Sequence, residues 1–363
     1  MRVRPRSDAR RACRGVVLST LVCGACGGAE DPALIEVLHA PDRYERRAGD
    51  FAASLTGRLS ADVRSAEYRL ADGPWVSIAQ GPPRATPPGF TIELLPEDLG
   101  VGRNALELRA AGPGGRIQTL RHAFDYDPTP IDLPREIDWA RAGALDVQDG
   151  AWEVIEDAAG VAWVRPLPGT EDYDRIVVVT GAFPGGRRVE TSVVFRAPPE
   201  RRGWGFGLFP LWGGQPDPDP VRPRRGWRFG LIWYSSTHGG IGTEFSEKIG
   251  GAEPAWVGSY RDFSLVPDTV YRIVSETRPV RDGAGALRAW RQRFKWWRQD
   301  EVEPTYWLDV EDRAGAEMPD GEYGVCLFTL RTAVEFGPVR VSPLEPAELD
   351  SPELDSPEPR VPG

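Results

Sequence analysis

The sequence predicts an all-β protein, a small sandwich followed by a larger two-sheet jelly roll, with a secretory segment in front. Three observations predict it. Apolar and polar residues alternate with period two through short runs separated by Gly, Pro and Asp turns. No stretch of helical periodicity lasts longer than a turn or two. Three of the four cysteines (Cys13, Cys23, Cys26) fall in the first 26 residues, so an exported body carrying only Cys326 depends on packed apolar surface, not disulfides.

The N-terminal segment comes first. Arg2, Arg4, Arg6, Arg10, Arg11 and Arg14 precede an apolar run from Gly15 to Cys26, the layout of a signal peptide. That run of about 12 residues is short of the roughly 20 that a spanning helix needs. Cys26 follows Gly24 and Ala25, which resembles a bacterial lipobox, with Cys23 where leucine is usual. The resemblance implies lipidation at Cys26, and simple signal cleavage is the other reading. Formal charge is −10; removing the segment, where six arginines outweigh Asp8 by five charges, takes it to −15. An acidic chain of this kind is not expected to bind nucleic acid.

Residues 31–127 supply the first set of strands, in which Phe90, Ile92 and Leu94, and again Leu106, Leu108 and Ala110, mark buried faces. The runs AEYRLADGPW and FTIELLPEDLGVGRNALELRAAGPGGR resemble bacterial immunoglobulin-like domains, which implies a presenting module without chemistry of its own. The prolines of Phe124 to Pro134 read as a linker. The acidic ELDSP repeats of residues 345–363 read as a disordered tail.

Residues 136–344 hold about ten further strand candidates. DGAWEVIEDAAGVAWVRP, DTVYRIVSE, RFKWWRQDEVEPTYWLDVED and GEYGVCLFTLRTAVEFGPVRV resemble the concanavalin A-like lectin and glucanase superfamily, in its LamG-like and sugar-hydrolase-like bacterial branches. The matching positions are Lys295, Trp297, Glu303, Pro304 and Trp307. The resemblance implies a curved sheet with a sugar-binding face.

Twelve of the thirteen tryptophans lie in this second region. Alternation sends Trp290, Phe294 and Trp296 one way and Arg291, Arg293, Lys295 and Trp297 the other. Likewise Trp227, Phe229, Leu231 and Trp233 oppose Arg228, Gly230, Ile232 and Tyr234. A sugar site needs flat rings under pyranose faces and fixed polar groups at hydroxyls. Tyr234, Arg272, Glu276, Arg291, Arg293, Lys295 and Trp297 supply both and form the expected ligand-binding set. The opposing expectation is a core role for any single tryptophan and a solvated, salt-bridged face for the cations.

A glycosidase needs two carboxylates at fixed separation. The Glu-x-Asp-x-x-Glu strand of the glucanases is absent, Glu171, Asp172, Asp174, Glu244 and Glu247 fall in expected loops, and only the strand residues Glu190 and Glu276 remain as catalytic candidates. His39, His122 and His238 show no metal spacing and read as surface or loop residues. No metal site or cofactor is expected, although Asp125, Asp127, Asp132, Asp217 and Asp219 are hard loop oxygens of the kind calcium takes. The leading expectation is a lipid-anchored lectin-like protein of the outer membrane or cell surface, or else a periplasmic or secreted one, whose partner is a glycan. A sugar-processing enzyme and a structural envelope protein are the alternatives.

Overall fold

In the first part of the chain, alternation puts one face of each strand into a shared core. The strands are β1 (Ile35–His39), β2 (Arg43–Glu45), β3 (Ala53–Leu59), β4 (Ser65–Leu70), β5 (Val76–Ser77), β6 (Gly89–Leu94), β7 (Gly102–Ala111) and β8 (Ile117–Asp127). They form a three-stranded sheet, β1-β3-β6, and a five-stranded one, β2-β8-β7-β4-β5. Leu55, Phe90 and Ile92 of the first pack with Tyr68, Leu106, Leu108 and Phe124 of the second. This computed structural model describes residues 32–78, 89–141, 145–169, 174–197, 203–217, 223–248, 257–311 and 318–344. The signal segment, Cys26 and the acidic tail lie outside them.

The rest of the chain gives β9 (Arg135–Ile137), β10 (Val147–Asp149), β11 (Trp152–Glu156), β12 (Ala162–Pro166), β13 (Asp174–Phe183), β14 (Arg187–Ala197), β15 (Gly205–Trp212) and β16 (Trp227–Ser235). It continues with β17 (Gly240–Lys248), β18 (Val257–Asp262), β19 (Val270–Arg281), β20 (Leu287–Arg298), β21 (Leu308–Glu311), β22 (Tyr323–Leu330), β23 (Ala333–Phe336) and β24 (Val339–Pro343). A seven-stranded sheet runs β10-β13-β22-β15-β16-β17-β18. A nine-stranded sheet runs β11-β12-β23-β14-β19-β20-β21, with β24 on β14 and β9 on β24. The two stack as the expected jelly-roll sandwich, with Val193, Ile273, Phe294 and Trp296 from one meeting Phe206, Leu208, Ile232 and Leu327 from the other. Among the described residues the only helical turns are three short 3-10 segments.

The seven-stranded sheet is covered on its second face as well. Ile176, Phe209, Trp212, Phe229, Leu231 and Phe328 point away from the sandwich and pack around Phe51, which is fully buried. Gly324 makes room for that ring, since a Cβ there would stand 2.4 Å from Phe51 Cε1. Around Phe51 the polar contacts close. Arg46 Nε donates to Glu322 at 2.6 Å, and Arg224 and Arg228 donate to Asp50 at 2.8 and 3.0 Å. Arg47 lies over the Phe51 ring at 4.3 Å and pairs with Asp146. Ile131 and Leu133, in the proline-rich segment after β8, rest on the larger core.

Several expectations change. His39 and His122 are buried, not superficial. Glu244 and Glu247 lie on β17, a strand hidden in the sequence by its glycines and charges. Cys326, by contrast, is the expected core residue, a buried free thiol whose pKa burial pushes well above the ordinary value.

His39 yields a prediction. Its Nε2 accepts the Trp152 amide at 3.1 Å, and desolvation lowers its pKa from 6.5 to about 4 in the folded chain. Between those values the unfolded chain binds a proton that the folded one refuses, so stability is lost as pH falls through that window, by about 3 kcal/mol in all. Denaturant unfolding at pH 7 and pH 4 should therefore show a larger loss for the wild type than for His39→Gln. Equal losses would contradict this account of the ring.

Candidate functional site

With one face of the nine-stranded sheet in the core, the other carries its polar residues. β14, β19 and β20 lie side by side in regular register. Glu276 stands between Arg188 and Arg293, Val274 between Glu190 and Lys295, and Arg272 between Ser192 and Trp297. Residues paired across antiparallel strands share a face. Arg272, Glu276, Arg291, Arg293, Lys295 and Trp297 are thereby brought together, with Glu190 beside them. Tyr234 does not join them. It is 9 % exposed and lies between the two sheets, stacked on Trp204 and Phe206 at centroid distances of 5.4 and 6.1 Å. Its strand has apolar faces on both sides, and the side chosen for the ligand is the sandwich interior.

Most of the cations on this outer face have anions of their own. Glu276 is 3 % exposed; its Oε1 accepts from Arg188 Nη1 at 2.8 Å and its Oε2 from Arg293. Arg188 also grips Glu190. Burial opposes the charge on Arg188, but Glu190 and Glu276 outweigh it and raise its pKa above the ordinary value. The two candidate catalytic carboxylates are thus rungs of one ion-pair ladder, joined through a single arginine. Lys295 Nζ donates to Glu303 at 2.9 Å, and the Trp307 ring lies 4.5 Å from the Arg293 guanidinium and 4.6 Å from Lys295. The Lys-x-Trp and Glu-Pro-x-x-Trp pattern has a local cause here, because the segment after β20 folds back over its cations.

The ladder has one gap. Arg272 donates to Ser192 Oγ at 3.0 Å, and among the described residues it has no carboxylate partner. Directly opposite stands Trp297, half-buried, with no ring or hydrogen-bond partner among those residues. The row continues past Ser192 to Gly337, whose amide donates to Ser192 O at 2.9 Å, and to Trp163 on β12, one residue from the paired Val164 and Phe336. A Cβ on Gly337 would rise between Ser192 and the Trp163 ring, 3.4 Å from each, so the glycine keeps the floor low. Trp163, 9 % exposed, closes that end with Nε1 held by Asp157 at 3.1 Å. At a strand spacing of about 4.8 Å, the row from Trp163 to Trp297 crosses five strands in roughly 19 Å.

No family model matches the chain, and no curated protein matches its sequence. Solved structures do. A carbohydrate-binding module from Bacillus subtilis is 14 % identical over 55 % of this chain and 94 % of its own, with a TM-score of 0.33. The exoplasmic domain of VIP36, in a form bound to Ca2+ and Man3GlcNAc, is 12 % identical over 61 % and 95 %, with a TM-score of 0.37. The alginate lyase vAL-1 from Chlorella virus is 13 % identical over 56 % and 94 %, at 0.35.

Ser192, Gly337, Trp163 and Arg188 were not among the expected site residues. The alternation in RRVETSVVFR does place Arg188 and Ser192 on one face, but only the sheet order makes them neighbours of β19. As for calcium, no group of three or more His, Cys, Asp or Glu side chains gathers among the described residues. Asp125 faces Arg103 at 3.5 Å. Hydrogen bonds from the Thr129 hydroxyl and amide, with help from Arg43, hold the Asp127 carboxyl below its ordinary pKa.

The ladder makes unequal predictions for its two acids. Glu276→Ala strands two arginines beside a buried position and should cost about 3 to 5 kcal/mol of unfolding free energy. Glu303→Gln removes a partner that is 48 % exposed and should cost no more than about 1 kcal/mol. Equal losses in denaturant unfolding would show that Glu276 is not the keystone.

Proposed function

We propose that the chain is an exported carbohydrate-binding protein, lipid-anchored through Cys26, whose sugar site is the row Ser192, Arg272 and Trp297. An immunoglobulin-like module formed by β1 to β8 and a concanavalin A-like jelly roll make up its body. The observation that carries the binding reading is the gap in the ladder. A half-buried indole with no partner among the described residues stands opposite a guanidinium with one neutral partner among them, on a face where most other cations are ion-paired. An indole offers a flat apolar surface to the C–H face of a pyranose, and an adjacent fork of N–H donors fixes its oxygens. Surrounding ion pairs hold both groups in place without competing for them.

The enzyme reading draws no support from Glu190 and Glu276, which share Arg188. A purely structural role would suit the ladder, but it leaves Trp297 and Arg272 unexplained.

Binding of the chain from Gly27 onward to a broad panel of neutral and acidic glycans tests the proposal. At least one glycan should bind, and Trp297→Ala should weaken it about tenfold or more, the order expected for an aromatic anchor, with the melting temperature kept. A panel without a single binder, or a folded Trp297→Ala variant that binds as well as the wild type, would refute it.

A further inference from the structure

We infer that the sugar taken at this row is anionic, bearing a carboxylate or a sulfate, and that Arg272 is the residue that selects it. The inference rests on the carbohydrate-binding reading and adds the charge of the ligand. Its basis is the distribution of counter-charge over the outer face of the nine-stranded sheet. Arg188 and Arg293 share Glu276, Lys295 holds Glu303, and Arg196 holds Glu335. Arg272 sits among these pairs on the central strand of the group, half-buried, with one neutral oxygen as its partner.

A cation withdrawn from water without a counter-ion is costly, which is why such groups are ordinarily paired. Among the described residues no carboxylate pairs with Arg272. Glu190, in the next row, is taken by Arg188, and the Glu335 carboxylate is bound by Arg196. The cation–ring contacts among the described residues of this face are made to Trp307, by Arg188, Arg293 and Lys295, and not to Trp297. A guanidinium has five N–H donors in a planar fork, of which Ser192 takes one. That fork matches the two oxygens of a carboxylate, or two of a sulfate, in a way that scattered hydroxyls do not. One ligand completes both halves of the row: a pyranose ring over Trp297 and its acidic substituent on Arg272. The net charge of −15 that remains once the N-terminal segment is removed does not oppose this at close range, because at physiological salt a charge is felt over about 8 Å, and the charges nearest this point are mostly paired.

Two matched pairs of probes test the inference at about 150 mM salt, an ionic strength at which distant charges are screened. One pair is polygalacturonate and its methyl ester; the other is dextran sulfate and dextran. The wild type should bind the charged member of one pair about tenfold or more tighter than its neutral counterpart, and which pair responds distinguishes carboxylate from sulfate. Arg272→Gln should abolish that preference, so that the variant binds the charged and the neutral member of the pair equally. Trp297→Ala should weaken both members. Arg272→Lys, which keeps the charge and loses the fork, should retain part of the preference. Unfolding curves confirm that each variant is folded. Equal affinity within both pairs, or a preference that survives Arg272→Gln, would overturn the inference and leave the carbohydrate reading standing. Failure to bind any of the four probes would overturn the inference as well, and silence on the wider glycan panel besides would overturn the carbohydrate reading with it.

Discussion

Phe51 enters the space behind the seven-stranded sheet with its ring wholly out of water, among Phe209, Trp212, Phe229 and Phe328. Burying a phenylalanine contributes about 1.5 to 3 kcal/mol. The larger effect is architectural. With the nine-stranded sheet on one side and the Phe51 joint on the other, β13, β15 and β22 are buried along nearly their whole length. Asp50, held by Arg224 and Arg228, and Arg47, paired with Asp146, keep the joint closed by charge where it leaves the apolar core. The strands from residue 33 onward accordingly form one compact unit.

That burial leaves the outside of the nine-stranded sheet as a broad polar face of the larger sandwich. There a regular register turns alternating charges into rows, and the rows into a ladder anchored on Glu276. A face on which most charges are already paired offers a ligand few open groups. The departure among the described residues, at Arg272 and Trp297, is therefore conspicuous, and groups held in place before a ligand arrives are what a preorganised binding site requires.

How much of this was legible in the sequence depended on what each strand has on its two sides. β20 was read correctly, because one of its faces is apolar and the other cationic. The Lys295, Glu303 and Trp307 pattern also had physical content, which the structure supplies as an ion pair and a cation over an indole. β16 could not be read in the same way. Alternation separates Tyr234 from Trp233 but does not say which side faces a second sheet and which a second module, and here both are apolar. β17 was missed because its buried Ile241, Thr243 and Phe245 are diluted by Gly240, Gly242 and two glutamates. His39 and His122 looked superficial because nothing local marks a histidine that is buried with its ring nitrogen satisfied by a distant backbone group, Trp152 N or Pro41 O. The row from Trp163 to Trp297 joins five strands that are far apart in the chain, and no local pattern encodes it.

The most direct measurement is the structure of the protein with an oligosaccharide bound. The account places a sugar ring against the Trp297 indole, with one of its polar groups within hydrogen-bonding distance of the Arg272 guanidinium and the ladder around Glu276 unchanged. A sugar seated elsewhere, for instance against Trp227 and Trp233 on the seven-stranded sheet, with Arg272 and Trp297 untouched, would contradict it.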